Sequence, residues 1–257
     1  MNTHATTSPT SEVLPVVPLR DAVPLPGVEW SFYAGRPLTV SALKDAHQRG
    51  QRVVLLCQRV SEGEPTIDNL YRIGTIATIK ALSTQDGTTY AAHVMPERRV
   101  KVTELYSNAP FYTAQCELFD GKPEEVAPEV FDSVKSSYLQ FERLAYLSSA
   151  ATRYLQLKQE FDGLRAVLSG ETPVPSNPAV EEERVPENFL SLMLPALSAL
   201  ESTPETLYLK QQFLEAETTP QALSLLSEFF AKDIPNRKKW IQDLQANDPM
   251  LKPEDAK

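Results

Sequence analysis

Few residues in this chain are of types that do covalent or metal chemistry, and their spacing can be tested directly. There are two cysteines, Cys57 and Cys116, and three histidines, His4, His47 and His93. A zinc-type site needs three or four Cys, His or carboxylate ligands at short characteristic spacings. Neither His47 nor His93 has such a neighbour, and His4 lies in a polar N-terminal stretch. The histidines therefore read as satisfied structural side chains, and no metal is expected. Cys57 closes the run Val53-Val54-Leu55-Leu56, and Cys116 follows Thr113-Ala114-Gln115. Two distant cysteines in apolar runs suit reduced, buried thiols of an intracellular protein better than a disulfide framework. A phosphate-cradling loop needs Gly-x-x-x-x-Gly-Lys-Ser/Thr. The only Gly-Lys pair, Gly121-Lys122, is followed by Pro123. No ATPase, no other enzyme constellation and no cofactor is expected. Arg98-Arg99-x-Lys101 could meet an acidic peptide or RNA, but reads as a strand with Arg99 and Lys101 outward on one face. Glu181-Glu182-Glu183 could attract cations, but reads as a solvated run in a loop.

The bulk composition is that of an ordinary globular protein and gives no sign of a nucleic-acid or membrane partner. Hydrophobic residues make up 42% of the 257 and charged residues 23%, ordinary for a globular chain. No apolar run approaches the ~18 residues of a membrane span. Met1–Ser11 lacks the basic and apolar regions of a secretory signal and reads as a disordered tail, so a cytoplasmic location is expected. The net charge is −9, with 11 Lys and Arg against 12 Asp and Glu in residues 1–120 and 14 against 22 in the remainder. Such a surface is a poor match to a polyanion.

The elements that must position any site fall into two halves. Glu12–Leu19 is a β-branched run broken by Pro15 and Pro18, which implies an edge strand or irregular pairing. Val28–Ala34 alternates loosely, and Pro37 then suits the first turn of a helix closing near Gly50. Arg52–Gln58 is short and almost wholly apolar, as in a strand buried on both faces. Arg72–Leu82 and Thr88–Met95 flank Gln85-Asp86-Gly87, a hairpin signal. Arg99–Leu105 and Phe111–Leu118 complete the strands. After Pro123, Val126, Val130, Val134, Tyr138, Phe141 and Ala145 recur at helical spacing, and Thr152–Leu168 reads as a second helix. Ser169–Glu183 has three prolines and no period, the pattern of an exposed loop. Helix signals resume at Pro186, and Thr203-Pro204 and Thr219-Pro220 look like an N-cap followed by proline at the first helical position. Strands followed by helices give an α+β protein.

Several short motifs then stand in a definite order. Pro18-Leu19-Arg20-Asp21 comes first, followed by Phe32-x-x-Gly35-Arg36, then Gly74-Thr75-x-Ala77, and finally Lys210-Gln211-x-Phe213-Leu214-Glu215. This succession, from about Leu14 to Phe230, resembles the N-terminal substrate-binding domain of the Lon ATP-dependent proteases. The resemblance implies an N-terminal PUA-like β pseudo-barrel followed by a C-terminal α-helical bundle. Expected boundaries are a tail over 1–11, a PUA-like β subdomain over 12–122, a helical subdomain over 123–232 with a flexible loop over 169–185, and a C-terminal extension over 233–257. Two features depart from the family pattern. The glycine usual before the strand at Arg99–Leu105 is absent, and Asp233-Ile234-Pro235 interrupts the last helix where the family continues into a coiled helix and the ATPase. The second departure suggests a stand-alone protein.

In Lon this module captures unfolded or tagged polypeptide, so the resemblance implies a non-catalytic protein of quality control, an adaptor or modulator of a Lon-type protease. Apolar residues expected in loops or at helix ends are the candidate substrate contacts: Leu25, Trp30, Phe229, Phe230 and Trp240. The alternative for Trp30, Phe229 and Phe230 is a place in the core. Two other readings stay open: an N-terminal fragment of a full-length Lon protease, and a PUA-like RNA-binding module, which the net charge disfavours.

Overall fold

The computed structural model describes residues 13–60, 62–84, 86–108, 110–121, 126–156, 194, 197–198, 200 and 203–247. The expected tail, the 169–185 loop with Glu181-Glu182-Glu183, positions 157–168 of the expected second helix and the helical stretch over 186–193 lie outside them. The chain forms two compact units, one of Met1–Pro123 with Leu190–Thr218 and one of Glu124–Phe189 with Thr219–Lys257.

The first unit is a six-stranded sheet with one helix inserted. Its elements are β1 (Val13–Leu19), β2 (Trp30–Ala34), α1 (Pro37–Arg49), β3 (Val53–Cys57), a 3-10 turn (Ile67–Asn69), β4 (Ile73–Thr84), β5 (Tyr90–Asn108) and β6 (Phe111–Leu118). The order is β2-β5-β4-β3-β1-β6, with β6 also paired to β5, so five strands close into a circuit and β2 hangs on the outside of β5. Strand β1 resolves its prolines by splitting its partners. Val13–Pro15 runs antiparallel to β6, and Val16–Leu19 runs parallel to β3. It is thus irregularly paired and not an edge. Proline also failed to end β5, which was expected as two strands. The register against β4 slips by one residue beside Pro96 and the strand continues, since a proline is tolerated at such an irregularity. Asp86 and Gly87 turn β4 into β5. Gly87 takes φ 74°, and the Asp86 carboxylate accepts from the amides of Thr88 and Thr89 at 2.9 and 2.8 Å.

The period-2 alternation of β1 and β3 builds two cores. Val17, Leu19, Val53 and Leu55 join Ala42, Leu43 and Ala46 of α1, while Leu14, Val16, Val54 and Leu56 face Leu70, Ile76, Val100 and Ala114. Gly74 serves the seam between β3 and β4. A Cβ there would lie 2.2 Å from the Leu55 carbonyl oxygen and 2.7 Å from Leu56 Cδ2, closer than any packed carbon can sit.

The helix α3 (Pro204–Glu215) belongs to this first unit, not to the helical half where the sequence reading put it. Its start is as expected: Thr203 caps, exchanging hydrogen bonds with Thr206, and Pro204 takes the first turn. Its far side is tied to strands. Gln211 Nε2 donates to the Ile73 carbonyl at 3.0 Å, and Arg99 donates to the carbonyls of Leu214 and Ala216 at 3.0 and 2.7 Å.

In the second unit, α2 (Pro128–Gln156) and α4 (Thr219–Asn247) share an aromatic core. Val134, Tyr138, Phe141, Leu144 and Leu147 are buried, whereas Val130, the second residue of the expected stripe, is 45% exposed. Phe141 lies 5.7 Å from Phe229 and 5.3 Å from Phe230, centroid to centroid. The interruption expected at Pro235 does not occur, so no separate extension begins at 233: α4 runs through the proline. A helical proline costs about 3 kcal/mol through a lost hydrogen bond and a clash. Burial of Ile234 and Ile241 on either side, the Arg237–Asp233 ion pair and Arg237 stacked over Phe141 offset it.

Replacing Gly74 by alanine should destabilise the first unit by at least about 2 kcal/mol, the scale of overpacking a tight core. Urea unfolding of the two proteins side by side measures this, and a difference below ~0.5 kcal/mol would show that the β3–β4 seam yields.

Candidate functional site

An open groove of about 400 Å³ lies in the first unit. It is lined by Pro18–Ala22, Trp30, Phe32–Arg36 and Thr39. Two of the sequence motifs, separated by the loop between β1 and β2, thus come to one place. Pro18, Leu19, Arg20 and Asp21 form one wall as β1 ends, and Gly35 and Arg36 form another as β2 passes into α1.

Arg36 holds the walls together. Its guanidinium donates to Gln58 Oε1 at 2.6 Å and to the Pro18 carbonyl at 2.9 Å, bridging the ends of β1 and β3. Burial and then the nearby charge of Arg20 lower its pKa, with Glu64 and Asp21 acting in the opposite sense. It remains a cation at any physiological pH, because a guanidinium starts far above that range. Arg20 and Asp21 are exposed at the rim. Two guanidinium groups against one carboxylate leave the lining cationic, on a chain that is acidic overall.

The remaining wall is aromatic. Trp30 and Phe32 point to the same side of β2, and their rings stack at 4.6 Å with an interplanar angle of 14°. Both are half-buried, resting on the first core cluster. Gly35 leaves the floor clear: a Cβ there would meet nothing nearer than Thr89 Oγ1 at 3.9 Å. Its lack of a side chain is therefore a matter of open space and not of packing.

The other residues singled out from the sequence fall elsewhere. Gly74, Thr75 and Ala77 are buried in β4, with Thr75 Oγ1 3.5 Å from the Pro24 carbonyl. Leu25 is only 1% exposed, which removes it as a substrate contact. The segment around it is pinned by Gly27 donating to the Pro96 carbonyl at 2.8 Å, so the prolines beside Leu25 shape a covering strap and not a free loop. Phe230 is 2% exposed and is core. Phe229 is half-buried in the same cluster, and Trp240 is 40% exposed on α4. Trp30 alone of the five lines the groove.

Lys210-Gln211 is a tie and not a contact site. Lys210 is 5% exposed and donates to the carbonyls of Ser198 and Leu200 at 3.3 and 3.0 Å. Burial lowers its pKa. Arg99, read from the sequence as an outward strand charge, is half-buried and stacks on Phe119 at 5.1 Å while it caps the end of α3. Its neighbour Arg98 pairs with Asp120 at 2.5 Å. Alternation could not show this, because the covering helix is over a hundred residues away. Cys57 and Cys116 are free thiols that burial pushes up to about 11 and about 12, so neither is a nucleophile at neutral pH. His93 Nδ1 is 2.8 Å from Ser31 Oγ, and its Nε2 lies 3.4 Å from Glu29.

Arg99→Met should loosen α3 from the sheet. Each charge-assisted hydrogen bond it removes is worth about 1.5–3 kcal/mol. Hydrogen exchange should speed up in α3 more than in β3, whereas uniform acceleration of both would mean that α3 is not tied through Arg99.

The chain matches the model of the ATP-dependent protease La (LON) substrate-binding domain over residues 13–232. It is 34% identical over 131 residues to the Lon protease of Vibrio parahaemolyticus, covering 50% of this chain and 16% of that protein. It is 32% identical over 133 residues to the Lon protease of Flavobacterium johnsoniae, covering 49% of this chain and 16% of the relative. The matched segment thus spans about one sixth of these curated relatives. Among solved structures, the N-terminal domain of Mycobacterium avium complex Lon protease is similar at 17% identity and a TM-score of 0.46, covering 86% of this chain and 99% of that one. The family match extends over most of the chain, which belongs to the LON substrate-binding domain family.

Proposed function

We propose that this protein is a non-catalytic recognition module of cytoplasmic protein quality control, and that its groove receives unfolded or tagged polypeptide. The observation that carries the reading is the convergence of Pro18–Asp21, Trp30 and Gly35-Arg36 on one open, half-apolar concavity. An aromatic ledge beside a few fixed polar groups is the usual make-up of a ligand site. Strand β2, paired only to β5 among the described residues, runs along it, so an extended client could add to its free edge. The closed circuit of strands fits the PUA-like pseudo-barrel that the family resemblance implies. No Ser-Lys or phosphate-loop constellation stands in the sequence, so the partner that unfolds and cleaves would be a Lon-type protease for which this chain acts as adaptor or modulator.

The short span matched on its relatives favours a second reading, in which the same module is the N-terminal part of a full-length Lon protease. The groove serves polypeptide in both. RNA binding has less support: the net charge is −9, a poor match to a polyanion.

Fluorescence anisotropy of a labelled, permanently unfolded protein, with a folded control, tests the reading. Micromolar binding of the unfolded probe alone is expected. Trp30→Ala should weaken it about tenfold or more, the scale of a buried aromatic anchor. Gly35→Leu should do likewise by filling the floor. Parent-like affinity in both variants would contradict the assignment of the groove.

A further inference from the structure

The start of α1 has an unmet demand that faces the groove. Arg36 is the N-cap residue, and its side chain cannot accept a hydrogen bond, so the helix begins without a side-chain cap. Pro37 has no amide hydrogen, and the first intrahelical bond runs from the Val40 amide to the Arg36 carbonyl at 2.9 Å. The amides of Leu38 and Thr39 precede that first bond, so they are among the helix-start donors that no intrahelical carbonyl can satisfy. Thr39 itself lines the groove and is 3% exposed, and its hydroxyl has no hydrogen-bond partner. A buried hydroxyl left unpaired is rare in folded proteins and calls for a missing partner. Helix amides, a free hydroxyl and the positive end of the helix dipole together suit an anion. Arg20 and Arg36 on the lining add to that preference.

The groove's other wall selects among anions. Trp30 and Phe32 offer an apolar ledge beside the charged end, and Asp21 at the rim disfavours a dianion such as a phosphoryl group. An extended chain end carries one negative charge directly beside its last side chain. We propose that the groove holds the C-terminal carboxylate of a polypeptide, seated at the N-terminus of α1 on Thr39, with the terminal apolar side chain against Trp30 and Phe32. This deepens the reading of the groove as a polypeptide site and rests on it: the client is taken by its C-terminal end. The Thr39 hydroxyl is itself covered in the unliganded protein, so seating the carboxylate requires its side chain to rotate into the groove.

The test titrates the full chain against three labelled ten-residue peptides. One ends in two leucines with a free carboxylate, the second is its C-terminal amide, and the third is an amide with glutamate at its last position. The free acid should bind about tenfold tighter than its amide, the size of one charge-assisted contact set, and tighter than the glutamate peptide. Thr39→Val and Arg20→Gln should each bring the acid-to-amide ratio towards one. Thr39→Val should keep the parent's Tm, since it removes a hydroxyl that had no partner in the unliganded protein. Equal affinity for acid and amide, a glutamate peptide as tight as the acid, or a ratio that both variants leave unchanged would overturn the proposal. If acid and amide bind equally and Trp30→Ala weakens both, the chain-end assignment falls while the groove stands as a polypeptide site. If Trp30→Ala changes neither peptide nor unfolded-protein binding, both fall.

Discussion

The guanidinium of Arg36 sits between the Pro18 carbonyl and the Gln58 side chain, and the groove is shaped around it. Strand β1 ends at Leu19, and Pro18 supplies a carbonyl whose own residue has no amide to donate. Strand β3 ends at Cys57, beside a Gln58 that is 3% exposed. A fixed, planar, always charged fork can satisfy both acceptors at once, which a lysine could not. Because Arg36 is also the N-cap of α1, the same contact fixes where the helix begins, beside the groove that Arg36 and Thr39 line. A side chain that caps strand ends in this way cannot cap its own helix.

The rest of the first unit keeps that arrangement rigid. The strands β1 and β3 are buried on both faces, so their period-2 patterns cannot slip without turning one core inside out. The covering α3 is held by Arg99, Gln211 and Lys210, all donating to backbone carbonyls. Such bonds are indifferent to the identity of the residue that accepts them. Lys210 and Gln211 of the chain's late motif thus act through geometry and do not line the groove.

Much of this was legible from local chemistry. The wholly apolar run of β3, the Asp86-Gly87 turn and the Thr203-Pro204 helix start all depend on near neighbours, and each stands in the structure as the pattern implied. What was not legible depends on distant partners. Leu25 looked like an exposed loop residue because its prolines hide the strap that Gly27 ties to β5. Arg99 looked solvated because its acceptors lie on α3. Pro235 looked like a helix end, although burial on both sides carries α4 through it. The groove itself needs three chain segments to meet, so the sequence could mark its residues as a motif but not as one surface. Trp30 could be named as a contact from its type, whereas Thr39 carried no signal until its hydroxyl was seen to lack a partner.

Site-specific photo-crosslinking tests most directly whether clients enter this groove. Tyr33 lines it and is 83% exposed, while Tyr208 on α3 is 61% exposed and serves as a control on the same unit. A benzophenone side chain placed at each position in turn would be irradiated with a labelled unfolded protein. Crosslinking from position 33 and little from position 208 is the result expected. Equal crosslinking from both, or capture from position 208 alone, would show that polypeptide is bound elsewhere.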